Sequence, residues 1–404
     1  MKLTMPAVAC LLLLMVSPLA ACLWDFDTIK METQRFPGTL ELITGKFLRH
    51  SKPFYKWRIE DRQKRIAEAA ENDESVAALY DDLAVAQEKT GQTEAAIETM
   101  LKKEELWPGQ YTTQANLGTF YIHSGKLSNG IDHIEKAIEI NPDAHFGREV
   151  YQKLLVEYVL SKQVNGETVL PLNSEPFSGR VDGFASFLVQ SQGLPRYSES
   201  RMEIQRAISG VLGMMHFGNY RSPLLLEVLA DLLIDGERQH DALLLACRAY
   251  LAASYAVGDG NASEAYREKA TNALSMQLRT DSRYDEVALS SVEAEFRSEL
   301  SDAERWFDTL CKNEKSWINK GLNPEAEFER TYRKASRPRT PIHQLTRENP
   351  PAEPDGTLAR IFLVFQIAAV TVIGLVVLGL IRLFRAKGKS LAHTGDSPKD
   401  VVGP

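Results

Sequence analysis

The chain has 404 residues, length enough for two or three domains, and is 44% hydrophobic and 25% charged. Those proportions are ordinary for a globular protein and exclude a largely disordered one. The net charge of −7 coexists with a basic C-terminal tail, so the remainder is acidic, which argues against nucleic acid and against adhesion to an anionic lipid surface.

Residues 1–21 carry one lysine, an apolar run from Ala7 to Val16 and then small residues, the pattern of a secretory signal peptide. Leu19-Ala20-Ala21-Cys22 resembles the bacterial lipobox, which implies a lipid on Cys22; the alternative is a plain cleaved signal. Residues 22–75 are dense in aromatics and cut by Pro37, Gly38, Gly45 and Pro53, so they are expected to form an N-terminal capping segment packed on the first repeat. Within it His50, Trp57, Arg58, Asp61 and Arg62 form a polar and aromatic cluster. A capping role, with Trp57 buried and Arg58 paired to a carboxylate, is favoured over a functional one because terminal helices of an array need a cover. A charged helix is expected over 58–71.

Residues 77–142 write one helical pattern twice. Tyr80, Leu83, Ala84, Gly91, Ala96, Met100 and Pro108 recur 34 residues later as Gln114, Leu117, Gly118, Gly125, Gly130, Ile134 and Pro142. This predicts helices over 77–89, 93–106, 111–124 and 127–140, with small residues where the helices approach. In period and residue types the stretch resembles the tetratricopeptide repeat family. The resemblance implies helical hairpins over 76–162, with residues 145–160 as a third first-helix or a cap. It also implies a concave surface that holds proteins, lined mainly by the second, fifth, ninth, twelfth and thirteenth positions of each repeat. Here these are Ala78, Asp81, Val85, Glu88 and Lys89, then Thr112, Ala115, Thr119, Ile122 and His123. The lysine and asparagine with which chaperone-binding members hold a peptide carboxylate are replaced by Asp81, Val85, Ala115 and Thr119, so a mixed polar and apolar segment is the expected ligand. The alternative is a groove filled by residues 23–57 or by the third helix.

Residues 163–197 contain four glycines and three prolines and read as an irregular connection, with a short helix or strand near 181–189. Helical patterning resumes over 198–335. Leu229-Ala230, Gly236, Ala242, Ala246 and Ala249 form a degenerate third repeat, and a long charged helix is expected over 285–315 with a short one at 324–334. Cys247 and Cys311 could pair in an oxidising compartment, but free thiols are favoured because Cys247 lies in an alanine-rich apolar helix. Residues 336–357, rich in proline, predict a stiff stalk. Residues 361–381, with Gln366 their only strongly polar side chain, predict a transmembrane helix within 358–386. Arg382, Arg385, Lys387 and Lys389 come after it and only Arg360 abuts its other end, which places the tail (387–404) in the cytoplasm and the main domain outside.

No HExxH, GxSxG, phosphate-binding loop, dinucleotide fingerprint or CxxC occurs. Histidines are scattered, and His123 and His133 read as surface residues rather than metal ligands. Asp81-Asp82 and Glu104-Glu105 read as solvated helix faces. The sequence thus predicts an all-α, solenoid-like domain outside a membrane, with no catalytic residue, cofactor or metal. Its expected function is to hold another protein or peptide in the cell envelope as a scaffold. The alternatives are an accessory subunit of an envelope transport or secretion complex, or a helical enzyme or metal-binding domain hidden in 166–278.

Overall fold

A computed structural model of the chain describes residues 37–69, 74–142, 144–173, 183–194, 198–236, 240–280 and 288–333. The signal peptide, Cys22, the stalk, the apolar run 361–381 and the tail lie outside the described residues. Among the described residues the regular elements are helices, without strands, and no described helix is long and apolar enough to cross a membrane.

The N-terminal segment holds α1 (Thr39–Thr44) and α2 (Lys52–Glu68). Gly45 ends α1 with φ 78°, and a Cβ there would lie 2.5 Å from the Tyr220 ring, so only glycine fits both the left-handed turn and the neighbour. Helix α2 starts before the expected Arg58 because Ser51 accepts a hydrogen bond from the Phe54 amide and Pro53 favours the first turn.

The two hairpins come next: α3 (Ala77–Lys89) with α4 (Thr93–Leu106), then α5 (Tyr111–His123) with α6 (Leu127–Ile140). Every boundary recurs 34 residues on, as the sequence spacing predicts. The first hairpin closes through Ala84 and Ala96, both fully buried. The second closes tighter. A Cβ on Gly118 would come within 2.6 Å of Ile134, and one on Gly130 within 2.5 Å of Ile122.

Beyond them lie α7 (Arg148–Lys162), α8 (Phe184–Ser191), α9 (Ser198–Met214), α10 (Pro223–Gly236), α11 (His240–Ala256) and α12 (Asn261–Thr280). The segment near 181–189, open between helix and strand, is the helix α8. Between α9 and α10 the chain makes a wide helical turn, Met215–Asn219, and leaves helical geometry at Gly218 (φ −95°, ψ −107°). From α2 to α7 each helix packs on its successor, and α9 to α12 continue the stack, with α9 resting on α7. The long helix α13 spans Leu289–Asn319 and α14 spans Pro324–Phe328, capped by the Asn323 side chain and followed by a wide turn, Glu329–Arg333. Helix α13 packs back on α2, so the end of the helical array meets its beginning.

The largest core joins α1 and α7 to α13, including Phe184, Val228, Leu229, Leu251 and Phe296. A smaller core lies between the repeats, and a third, of Leu310, Trp317 and Phe328, lies under α13. Each fully buried large apolar side chain contributes roughly 1.5–3 kcal/mol. Cys247 and Cys311 are free thiols; burial pushes the Cys247 thiol up to about 12.

Candidate partner-binding face of the repeats

The line of first-helix positions along α3 and α5 is where a repeat of this type would meet a ligand. Here much of that line is occupied by the chain itself. Asp81 is buried, and both its carboxylate oxygens accept from Lys103 Nζ at 2.7 Å. Asn116 Nδ2 donates to Asp81 Oδ1 at 3.3 Å, and Lys103 also donates to Thr112 Oγ1 at 2.7 Å. One lysine of the first hairpin thereby ties α3 to the start of α5. Burial pushes the Asp81 carboxyl up to about 6 against the opposing pull of Lys103.

Val85 is 2% exposed and shares the repeat core with Tyr80, Ala84, Phe120 and Phe217. Phe217 belongs to the turn between α9 and α10. Lys89, at another groove position, donates from Nζ to the main-chain oxygens of Phe217 at 2.6 Å and Gly218 at 2.7 Å. The Arg148 guanidinium lies 4.9 Å from the Phe217 ring centroid. In the second repeat, Thr119 is buried, donates to Ala115 O at 3.0 Å and accepts from Gln152 Nε2 of α7 at 3.2 Å. Ile122 leans on Gly130 of its own hairpin.

Glu88 and His123 remain near the surface and pair at 2.7 Å across the two repeats. Burial would raise the Glu88 carboxyl, but hydrogen bonding and charge from His123 outweigh it and hold it below its ordinary value.

The groove is therefore closed at Val85, Lys89 and Thr119. Of the occupants expected from sequence, the third helix covers the second repeat through Gln152, whereas in the first repeat the place is taken by Phe217 and Gly218 of the Met215–Asn219 turn. Asp81 and Asp82 also differ from the solvated face expected of them. Both are buried, Asp81 against Lys103 and Asp82 against Arg62 at 2.8 Å. Glu105 is exposed, and the Glu104 carboxylate accepts from the Gly109 amide at 3.0 Å. His133 hydrogen-bonds Gln114 at 2.7 Å and stacks on Tyr121, with its pKa lowered by burial and then by Lys136.

The N-terminal cluster is a junction that joins both ends of the described structure. His50 Nδ1 meets Glu314 Oε1 at 2.5 Å, and the Ser51 amide donates to the other oxygen at 2.8 Å. Arg58 pairs with Glu325 at 2.9 Å, and Arg62 bridges Asp82, Asp61 and Glu325. Trp57 is half-buried rather than buried. The segment packs on the first repeat, as expected, and also on α13 and α14, which sequence reasoning did not foresee.

A second polar cluster lies inside the later helices. Glu227 accepts from the amides of Leu172 (3.0 Å) and Asn173 (3.1 Å), from Tyr266 OH (2.8 Å) and from Lys269 Nζ (3.1 Å). Asp231 accepts from Tyr250 OH at 2.5 Å and pairs with Lys269 at 3.5 Å; burial pushes its carboxyl up to about 6. Lys269 is the cation shared by the two buried acids, and the donors around Glu227 fasten the Leu172–Asn173 segment to α10 and α12. Among the described residues no group of histidine, cysteine and acidic side chains is placed to hold a metal.

Phe217, Lys103, Arg148 and Gln152 were not foreseen from sequence. Only Lys103 left a signal there, since it follows Ala96 and Met100 on the inner face of α4.

Comparison with known families agrees with this geometry over a limited part of the chain. A tetratricopeptide repeat family model matches residues 111–144, which covers the α5–α6 hairpin. No curated protein matches the sequence. Repeats of this type generally bind proteins or peptides and typically serve as interaction scaffolds rather than enzymes. The chain carries a tetratricopeptide repeat at 111–144, and among the described residues the helical arrangement around it is consistent with a solenoid.

Proposed function

We propose that this protein is an exported, membrane-anchored scaffold whose helical repeats hold another exported protein in the cell envelope, without catalysis of its own. The observation that carries the reading is the pair of hairpins repeating at a 34-residue interval, the second of them matched by the repeat family. The export and anchoring are supported by the signal-like residues 1–21, the lipobox-like sequence before Cys22 and the apolar run 361–381 with its basic flank. In this reading the helical domain faces the periplasm and the tail faces the cytoplasm.

The test has two arms. Protease added to spheroplasts should degrade the helical domain while an epitope on the tail survives, and the protein should resist carbonate extraction. A tail epitope cleaved together with the domain rules out the topology. Crosslinking in intact cells should then return one reproducible exported partner. Repeated capture of nothing above a control with residues 77–142 deleted rules out the scaffold role.

A further inference from the structure

Part of the turn Met215–Asn219, namely Phe217 and Gly218, sits in the first repeat as a ligand would, while Met215 is buried in the largest core. The turn's apolar anchor in the repeat, Phe217, is 6% exposed and enters the core beside Val85, Tyr80 and Phe120. Its main chain is read by a single groove lysine, since Lys89 Nζ reaches two successive carbonyls, Phe217 at 2.6 Å and Gly218 at 2.7 Å. An aromatic side chain in an apolar slot with main-chain oxygens held beside it is how a groove recognises a short peptide. The turn is also irregular. It leaves helical geometry at Gly218, its next residue Asn219 is exposed, and it joins two helices, α9 and α10, that contact each other without it. The rings beside Phe217 in sequence face another element: His216 and Tyr220 meet Phe47 edge-on at 5.2 and 5.3 Å.

We infer that Met215–Asn219 is a built-in, displaceable occupant of the repeat groove, and that the groove takes in its place a partner peptide presenting an aromatic side chain beside two main-chain carbonyls. This rests on the scaffold reading. The protein is then self-closed at rest. Its apparent affinity for a partner is set by the competition between the turn and the incoming peptide, reduced by the fraction of molecules in which the turn is seated.

The probe is a fluorescent peptide of residues 214–221, MMHFGNYR, together with the same peptide bearing alanine for phenylalanine. Both are titrated onto the detergent-solubilised full chain and its Phe217→Ala variant. The variant should bind the phenylalanine peptide at least about tenfold more tightly than the wild type does, and should bind the alanine peptide about tenfold more weakly than the parent peptide. Adding Lys89→Gln to the variant should weaken binding again. Equal binding by wild type and variant, or equal binding of the two peptides, overturns the inference.

Hydrogen exchange on the wild type gives an answer even if Phe217→Ala does not fold. Amides of the turn should exchange through an opening that leaves α3 and α5 protected. Exchange of the turn only together with those helices overturns displacement. The cellular capture separates this idea from the broader one. A partner retained equally by wild type and a folded Phe217→Ala chain contacts another surface, which sinks the inference and spares the scaffold. No partner at all, with the peptide result intact, sinks the scaffold reading alone.

Discussion

The repeat hairpins and the later helices both bury acidic groups, and they do so in opposite ways. In the repeats, Asp81 depends on one cation, Lys103, 22 residues away, with Asn116 in support. In the later body, Glu227 is held by four donors drawn from two segments, Leu172–Asn173 and α12, of which Lys269 is only one. A buried charge with one main partner is fragile, and one with many is robust. Lys103→Met should therefore be the most damaging single change, costing about 3–5 kcal/mol because it strands Asp81 in the core. Tyr266→Phe should cost less, about 1–3 kcal/mol, since two amides and Lys269 still hold Glu227. Urea denaturation of the two variants decides the matter. Equal losses, or a larger loss at Tyr266, break the comparison.

Acid sensitivity sharpens it further. Asp81 and Asp231 each titrate at about 6 when folded, both raised mainly by burial, so the folded state holds their protons more tightly than the unfolded chain does. Their contribution is full below the ordinary carboxyl range and is lost as pH rises towards 6. Each should lower stability by up to about 3 kcal/mol between pH 4 and 6. Groups held low, such as Glu293 at about 2 through its hydrogen bond from Arg267, act in the opposite sense and below this window. Asp231→Asn should remove one of the two declines and leave that of Asp81. A stability profile for Asp231→Asn that parallels the wild type between pH 4 and 6 would show that the body cluster carries no such proton.

Packing differs between the two hairpins as well. Gly130→Ala should cost about 1–3 kcal/mol, because its Cβ would meet Ile122 at 2.5 Å in a hairpin already drawn close. Ala96→Gly in the first hairpin should cost less, about 1 kcal/mol, from helix propensity and a lost methyl. Thermal melts of both variants rank them.

What was legible in the sequence obeys the same division. Ala84, Ala96, Gly118 and Gly130 mark where helices touch, and contacts inside one hairpin are spelled by fixed spacing, so the repeats could be read without a structure. The ligand-like turn could not. Phe217 reaches Lys89 from 128 residues away, and nothing local marks it. Asp81-Asp82 resembled a solvated face because adjacent acids usually are one; their partners Lys103 and Arg62 lie 22 and 20 residues off, in other helices. The groove positions were identified through the family resemblance, but whether they are open depends on elements that the repeats do not encode. Similarly, the aromatic run before α2 read as a cap on the first repeat, while its tie to Glu314 and Glu325 is set by the return of α13.

The smallest expected effect tests whether the still-exposed edge of the repeats contributes to their coupling. The Glu88–His123 pair spans the two hairpins, with the histidine side chain 33% exposed and the glutamate 11%. Screening by solvent limits such a pair, so His123→Ala should cost at most about 1 kcal/mol. Its pH signature runs opposite to that of Asp81. Glu88 titrates low when folded, so its contribution is present above the ordinary carboxyl range and is lost as pH falls through the folded value. His123→Ala should therefore shrink the wild type's loss of stability on acidification below about pH 4.5, while leaving the decline between about pH 4 and 6 from Asp81 intact. A variant that alters the higher window instead would mean that the Glu88–His123 pair and the buried Asp81–Lys103 bridge act as one unit, and the separation of a weak edge from a fragile core in the repeats would have to be given up.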